Sequence, residues 1–235
     1  MNSLSLKLAL IITVGLVGLF VFATTQSSRH QQTESPPSTN ALKWHAEKAK
    51  NEGKKEVIIP FPIVDYAGSA AEDINDTLAH YTLVVAQPVT KHTYQASGNT
   101  LITWYKFRIV EALTELKAPA CFGCSTLSPP TDIALDYSNE FLVPRNGGTA
   151  TVDGIQIQQI ESTFPDFREN QKYLLFISLY PNRIALTAGG PQGVLTVDGE
   201  DNLKPFSHRP SKIADEIKSK FNNSLAVIKR RLKEK

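Results

Sequence analysis

The two cysteines of the chain, Cys121 and Cys124, are the residues whose type and spacing most directly suggest chemistry. They stand three positions apart in the stretch CFGC, a spacing that occurs in thiol redox centres and in half of many zinc sites. A thioredoxin-like redox centre places this motif at the start of a helix, where the helix dipole lowers the thiol pKa. Here the motif lies in KAPACFGCSTLSPP, which predicts a proline-bounded loop between strands.

A zinc site would need further nitrogen or sulfur ligands beside these cysteines. The histidines are scattered along the chain without the spacing of a ligand pair: His30, His45, His80, His92 and His208. We therefore predict no metal and no cofactor. In a chain that is exported from the cytoplasm, two such thiols most often oxidise to each other. We therefore predict export together with a local disulfide between Cys121 and Cys124. A thiol-disulfide oxidoreductase that acts through the same pair is the alternative.

The N-terminal segment predicts the compartment. Lys7 precedes an apolar run over residues 8–23 that contains no charged residue. At about 1.5 Å per residue the run reaches roughly 24 Å, short of the roughly 30 Å hydrocarbon layer. Residues 1–23 are thus predicted to be either a cleaved signal peptide or an uncleaved membrane anchor. Both alternatives place the rest of the chain outside the cytoplasm, secreted or periplasmic after cleavage and membrane-bound without it.

Composition divides the remaining chain into three parts. Residues 24–40 are polar and predict a disordered tether. Residues 41–208 are numerous enough for one domain with a sizeable core. Residues 209–235 carry nine basic and three acidic side chains, although the net charge of the whole chain is only +2. The body is therefore acidic, which argues against a nucleic-acid surface and predicts no nucleic-acid partner.

The hydrophobic pattern of residues 41–208 predicts a mainly β fold with flanking helices, in the α+β class. Asp153-Gly154 between two alternating runs predicts a hairpin turn. Residues 172–180 are apolar on both faces and predict a central strand. The other predicted strands cover residues 81–89, 100–113, 183–188 and 193–199, and the predicted short helices cover residues 41–53 and 69–79. Together they predict a small antiparallel Greek-key barrel or sandwich.

The C-terminal tail has a different pattern. Apolar residues recur every three or four positions over residues 213–232, which predicts one basic amphipathic helix of about 23 residues. Three uses of its apolar stripe remain open: packing on the β domain, docking on a protein partner, or lying on an anionic membrane surface.

The order of the strands resembles that of a known group of domains. The sequences AHYTLVVAQPV, YKFRIVEAL, QKYLLFI and GGPQGVLTV follow one another over residues 78–197. This order resembles a loose group of bacterial secreted or membrane-anchored β domains without assigned function. More distantly, it is similar to the OB-like barrel of netrin-type and metalloproteinase-inhibitor modules. The resemblance implies a five- or six-stranded Greek-key barrel; because those inhibitors use an N-terminal cysteine that is missing here, it does not imply inhibition.

Sequence motifs of catalysis are missing from the rest of the chain. There is no nucleophile elbow of the form G-x-S-x-G, and the stretches DGEDN and GGPQG lack the residues of calcium and phosphate loops. The sequence therefore predicts no catalytic residue outside the cysteine pair. It favours a non-enzymatic, envelope-associated binding or interaction protein.

Overall fold

The computed structural model describes residues 40–61, 73–96, 99–116, 128–199 and 201–234. Two β-sheets and several short helices make up this part of the chain, which confirms the mainly β, α+β prediction. The helices are α1 (Ala41–Asn51), α2 (Ile74–His80), α3 (Lys212–Phe221) and α4 (Leu225–Lys233). The strands are β1 (Glu56–Pro60), β2 (Thr82–Ala96), β3 (Thr100–Ala112), β4 (Glu140–Asn146), β5 (Gly148–Val152), β6 (Ile155–Ile160), β7 (Lys172–Leu179), β8 (Ala185–Thr187), β9 (Val194–Val197) and β10 (Leu203–Pro205).

The smaller sheet has the order β1-β6-β5 and combines a hairpin with a parallel strand. The predicted hairpin turn is confirmed: Asp153 and Gly154 both have positive φ angles and join the antiparallel strands β5 and β6. Strand β1, which the sequence pattern did not predict, pairs parallel to β6. Apolar residues of this sheet pack with α1 and with Leu101 of β3 in one cluster, which is separate from the two clusters on the faces of the larger sheet.

The larger sheet has the order β10-β9-β7-β2-β3-β4, and β8 pairs with β7. Strand β7 is central and buried along nearly its whole length, as its uninterrupted apolar sequence predicted. A closed barrel was predicted as one alternative, and this prediction is wrong for the described residues. A closed barrel would need the edge strand β4 to pair along its length with another strand. Only a single bridge, from Leu142 to Ile184, joins β4 to the residues just before β8, and this is too little to close the sheet.

Both faces of the larger sheet are covered. One face carries an aromatic cluster in which Tyr105 and Phe107 of β3 meet Phe167 from the chain between β6 and β7. The opposite face packs against α2, α3 and α4. Alternation along β3 directs Tyr105 and Phe107 to the first face and Lys106 and Arg108 away from it, which the alternating apolar and charged residues of the stretch TLITWYKFRIVEAL predict.

Strand β4 passes directly into β5 through two glycines, and the chain changes sheets at this point. Gly147 and Gly148 both have positive φ values, 85° and 137°. A side chain on Gly148 would collide with the hydroxyl groups of Thr93 and Thr103, which lie 2.9 Å from each other. Glycine is therefore required at position 148, because other residues rarely adopt this positive φ value and because a side chain would have no room.

The tail is two helices, and the prediction of one continuous helix is wrong. Asn222 and Asn223 adopt left-handed conformations with φ values of 52° and 54°, which end α3. Ser224 then starts α4, because its hydroxyl oxygen accepts a hydrogen bond from the Val227 N–H. Short polar residues cap helices readily, and this local chemistry interrupts an apolar periodicity that continues across the break.

Helices α3 and α4 both bury their apolar residues on the larger sheet. Ile213 and Ile217 of α3 and Leu225 and Ile228 of α4 are at most 3% exposed and belong to one cluster with the sheet. In the described part of the chain, no helix is long and apolar enough to cross a bilayer. The predicted signal or anchor of residues 1–23 lies outside the described residues.

Candidate ligand-binding site

A cleft of about 370 Å³ opens where β2 and β3 meet the chain that connects β6 to β7. Its size lies within the range of small-molecule sites in proteins. We call it the bulge cleft. It is lined by Pro88, Thr90, Lys91, Tyr105, Asp166, Phe167, Arg168 and Glu169.

A β-bulge decides which side chain of β2 stands beside Tyr105. Pro88 pairs with Phe107 of β3, but the register then shifts, and Thr90 pairs with Lys106. Lys91 is consequently placed opposite Tyr105, and cross-strand partners project from the same face of a sheet. Without the extra residue, Thr90 would occupy that position. The bulge thus places a cation beside the buried phenol ring, in keeping with the frequent occurrence of bulges next to binding sites.

Arg145 of β4 fixes the segment on the other side of the cleft. Its guanidinium donates hydrogen bonds to the carbonyl oxygens of Phe164 and Glu161, and its Nη1 atom lies 2.8 Å from a carboxylate oxygen of Asp166. Arg145 is 6% exposed, so these bonds form largely away from water. Three anchors over six residues hold the segment against the sheet and present Asp166 and Phe167 to the cleft.

A buried hydroxyl group beside the cleft, the Oγ1 atom of Thr90, has no hydrogen-bond partner. The phenol of Tyr105 is also buried and lies within reach of the Asp166 carboxylate and the Phe167 backbone. Burial of the phenol, together with the negative charge of Asp166 close by, raises the pKa of Tyr105 well above its usual value, so the phenol stays protonated at neutral pH. Buried polar groups are normally paired, so the unpaired Thr90 hydroxyl indicates a place where a polar atom belongs.

Charged groups of both signs surround the opening. Lys91 and Arg168 are basic, and Asp166 and Glu169 are acidic. The Nζ atom of Lys91 lies 3.7 Å from Asp166, whose second oxygen faces the buried Arg145. The lining thus carries two cations and two carboxylates, and Arg145, which does not line the cleft, binds Asp166 from the interior. No histidine lines it, and the Thr90 hydroxyl therefore has no imidazole base beside it among the lining residues.

Among the described residues, none of the histidines singled out from the sequence lines this cleft. Cys121 and Cys124 lie outside the described residues, so the disulfide remains a prediction. His45 lies on α1, His80 on α2 and His92 on β2. His80 is engaged by Asp76, with 3.1 Å between its Nδ1 atom and a carboxylate oxygen. Across the described ranges there is no group of three histidine, cysteine or acidic side chains that could hold a metal ion.

Sequence reasoning did not identify the cleft residues, although one signal for them was present. Pro88 stands inside a strongly β-forming run, and a proline within a strand marks an edge or a bulge because it has no N–H to donate. That signal locates the irregularity. It does not reveal that Asp166 and Arg168, more than seventy residues later, lie against it.

Comparison with protein-family models, with curated proteins and with solved structures finds no match to this chain. The geometry and charge of the site are consequently the basis on which a function can be inferred.

Proposed function

We propose that the protein is a non-enzymatic, extracytoplasmic binding protein and that the bulge cleft is its binding site for a small anionic ligand. The observation that carries the proposal is the buried, unpartnered Thr90 hydroxyl at a cleft that Lys91 and Arg168 also line. An anion supplies acceptors for this hydroxyl and for the lysine and arginine donors.

The chemistry of the lining favours binding over catalysis. One carboxylate oxygen of Asp166 lies 2.8 Å from Arg145 and the other lies 3.7 Å from Lys91, so both oxygens already have partners within the protein. Lys91 and Arg168 provide strong donors for a carboxylate, phosphate or sulfate group. Phe167 and Pro88 provide apolar walls, which exclude water and strengthen such contacts.

The location and the fold relationship belong to the same proposal. The apolar run of residues 8–23 supports export to the envelope, with membrane attachment if the segment stays uncleaved. An OB-like or netrin-like relationship of the larger sheet remains part of the proposal and rests on the strand order of residues 78–197. A protein partner or an anionic membrane surface for residues 209–235 is retained as a further proposal. Burial of the apolar residues of α3 and α4 restricts such contacts to the exposed basic side chains.

A thermal-shift screen tests the binding function. The purified chain is heated with a panel of small carboxylates, sulfates and phosphorylated sugars, and the melting temperature is recorded for each. We expect at least one anion to raise the melting temperature, because a ligand that binds only the folded state stabilises it. Lys91→Gln and Arg168→Gln, which remove the cleft charges, should each abolish most of that rise.

Lys204→Gln is the matched control, since Lys204 is an exposed lysine on β10 that pairs with Asp198 and does not line the cleft. It should respond to the anion as the wild type does. The proposal is wrong if no anion in the panel shifts the melting temperature, or if the shift is the same in the two cleft variants and in the control.

A further inference from the structure

A second cavity, of about 420 Å³, lies between the helices on the opposite face of the larger sheet. We call it the helix pocket. Its floor is formed by Leu83 of β2 and Phe176 of β7, both at most 1% exposed. Its walls are apolar side chains of the three surrounding helices: Ile74, Leu78, Phe221, Ile228 and Leu232. Seven apolar residues thus enclose a space of the size that small ligands occupy.

The polar residues that line the helix pocket are all exposed, so they mark its opening to solvent. Asn75, Ser219, Lys220 and Arg231 line it and are exposed. Lys220 contacts Glu216 at 2.7 Å, and Glu216 also accepts a hydrogen bond from the N–H of Ile74, which ties α3 to the start of α2. Arg231 adds a second cation at the mouth. The pocket therefore has an apolar interior and a basic opening.

We propose that the helix pocket binds the acyl chain of a single anionic amphiphile, such as a free fatty acid, with its head group at Lys220 and Arg231. The apolar walls offer no hydrogen bond to a polar ligand, so burial of methylene groups is the favourable interaction available inside. At the mouth, the two cations complement a carboxylate, and their long side chains reach it while staying in water. This site is separate from the bulge cleft and does not depend on the function proposed for it.

The break between α3 and α4 explains why a pocket forms here. One continuous helix over residues 212–233 would lay a single apolar stripe on the sheet. The left-handed residues Asn222 and Asn223 end α3 and allow α4 to start on a new axis. Phe221 at the end of α3 and Leu232 near the end of α4 then face the pocket from two sides and remain only partly buried. Partly buried apolar side chains around a cavity gain free energy when a chain fills it.

Laurate titration of the full-length chain below the micelle concentration, followed by calorimetry, tests the proposal. We expect one laurate per chain and an affinity that falls about fourfold for each methylene removed from the probe. Ser219 lines the pocket and is exposed, so Ser219→Trp puts a bulky indole ring at the mouth of the pocket. This variant should lower the laurate affinity at least about tenfold. Arg231→Gln should weaken laurate binding but leave binding of the uncharged amphiphile dodecyl maltoside unchanged.

Lys233→Gln is the control for charge on the same helix, because Lys233 is exposed and does not line the pocket. Every variant carries residues 1–23, so any laurate bound by that apolar segment is common to all of them. Circular dichroism of each variant confirms that it is folded. The proposal is overturned if Ser219→Trp binds laurate as the wild type does, or if affinity is independent of chain length. It is also overturned if only vesicles of anionic phospholipid bind, which would assign the basic residues to a membrane surface.

Discussion

The Nη1 atom of Arg145 lies 2.8 Å from a carboxylate oxygen of Asp166, and the two side chains differ greatly in exposure, 6% for Arg145 and 56% for Asp166. The pair thus reaches from the interior of the larger sheet to the opening of the bulge cleft. Because Arg145 also donates hydrogen bonds to two backbone carbonyls of the same segment, it positions the whole cleft wall and not only one carboxylate.

Arg145→Met should therefore destabilise the fold and disorder the cleft wall. The variant keeps much of the side-chain volume but leaves the carbonyl oxygens of Phe164 and Glu161 without their donor. Unpaired buried groups of this kind cost about 1–3 kcal/mol each, so we expect the free energy of unfolding in urea to fall by about 2–4 kcal/mol. Asp166 is half exposed and can be hydrated, which limits the loss.

Hydrogen exchange of residues 161–169 provides the second measurement for this variant. Exchange there should become faster than in the wild type, because the segment loses its anchors. Arg230→Met, at an exposed position on α4, should change the free energy of unfolding by less than about 0.5 kcal/mol. Equal stability of the two variants would show that Arg145 does not hold the segment.

Glu140 should make stability depend on pH in the acid range. Burial on its own would raise the pKa of this carboxyl, but three partners outweigh burial and lower the pKa below the usual 4.5. These partners are the N–H of Asp136, Arg108 at 3.2 Å and Lys106 at 3.5 Å. A lowered folded-state pKa means that the stabilisation is complete above the unfolded pKa and is lost as the pH falls through the folded value.

Glu140→Gln removes the titrating group and should flatten the acid limb of the stability curve. Charge-assisted hydrogen bonds contribute about 1.5–3 kcal/mol, so the variant should be less stable than the wild type by an amount of that order near neutral pH. The difference should shrink as the pH falls below 4.5, the usual pKa of the carboxyl, and through the lowered folded-state pKa at which the wild-type carboxyl takes up its proton. Glu47→Gln, at a side chain that is 60% exposed, is the control. If the free energy of unfolding of wild type and Glu140→Gln depended on pH in the same way, the prediction that the ionised Glu140 carboxylate stabilises the fold would be wrong.

Local pattern in the sequence predicted much of the larger sheet and the hairpin of the smaller one. The alternation around Tyr105, the two-sided apolar run of β7 and the Asp153-Gly154 turn each depend on neighbouring residues alone, and each is confirmed. Strand β4 was not predicted, because its sequence EFLVPRN contains a proline and charged residues. Its burial and its pairing with β3 come from tertiary contacts.

The bulge cleft could not be derived from the sequence, for a physical reason. Its cations and carboxylates come from segments whose proximity depends on the register between β2 and β3 and on the anchoring role of Arg145. A single extra residue at the bulge changes which side chain faces Tyr105, and periodicity does not specify such a shift. The division of the tail into α3 and α4 was missed for a related reason, since the apolar period continues across Asn222 and Asn223 while the backbone does not.

Ile217→Ala tests whether the tail is part of the folded core. Ile217 is fully buried in the cluster that joins α3 to the larger sheet. Removal of its side chain leaves a cavity, and such substitutions cost about 2–5 kcal/mol. Lys218→Ala, the exposed neighbour on the same helix, should change the free energy of unfolding by less than about 0.5 kcal/mol. Equal stabilities for the two variants would mean that the helix is free to serve as a docking element.

The cysteine pair remains a prediction that mass spectrometry of the exported protein can decide. If Cys121 and Cys124 are joined, the intact mass should increase by two hydrogens after reduction, and alkylation should label the protein only after that treatment. The loop that they would close is very short, so the chain-entropy contribution to stability is small, and we expect the double variant Cys121→Ser and Cys124→Ser to unfold at nearly the wild-type urea concentration. Two free thiols in the native protein would refute the disulfide. Turnover in an insulin-reduction assay that Cys121→Ser abolishes would instead establish the oxidoreductase alternative, because a structural crosslink has no catalytic activity to lose.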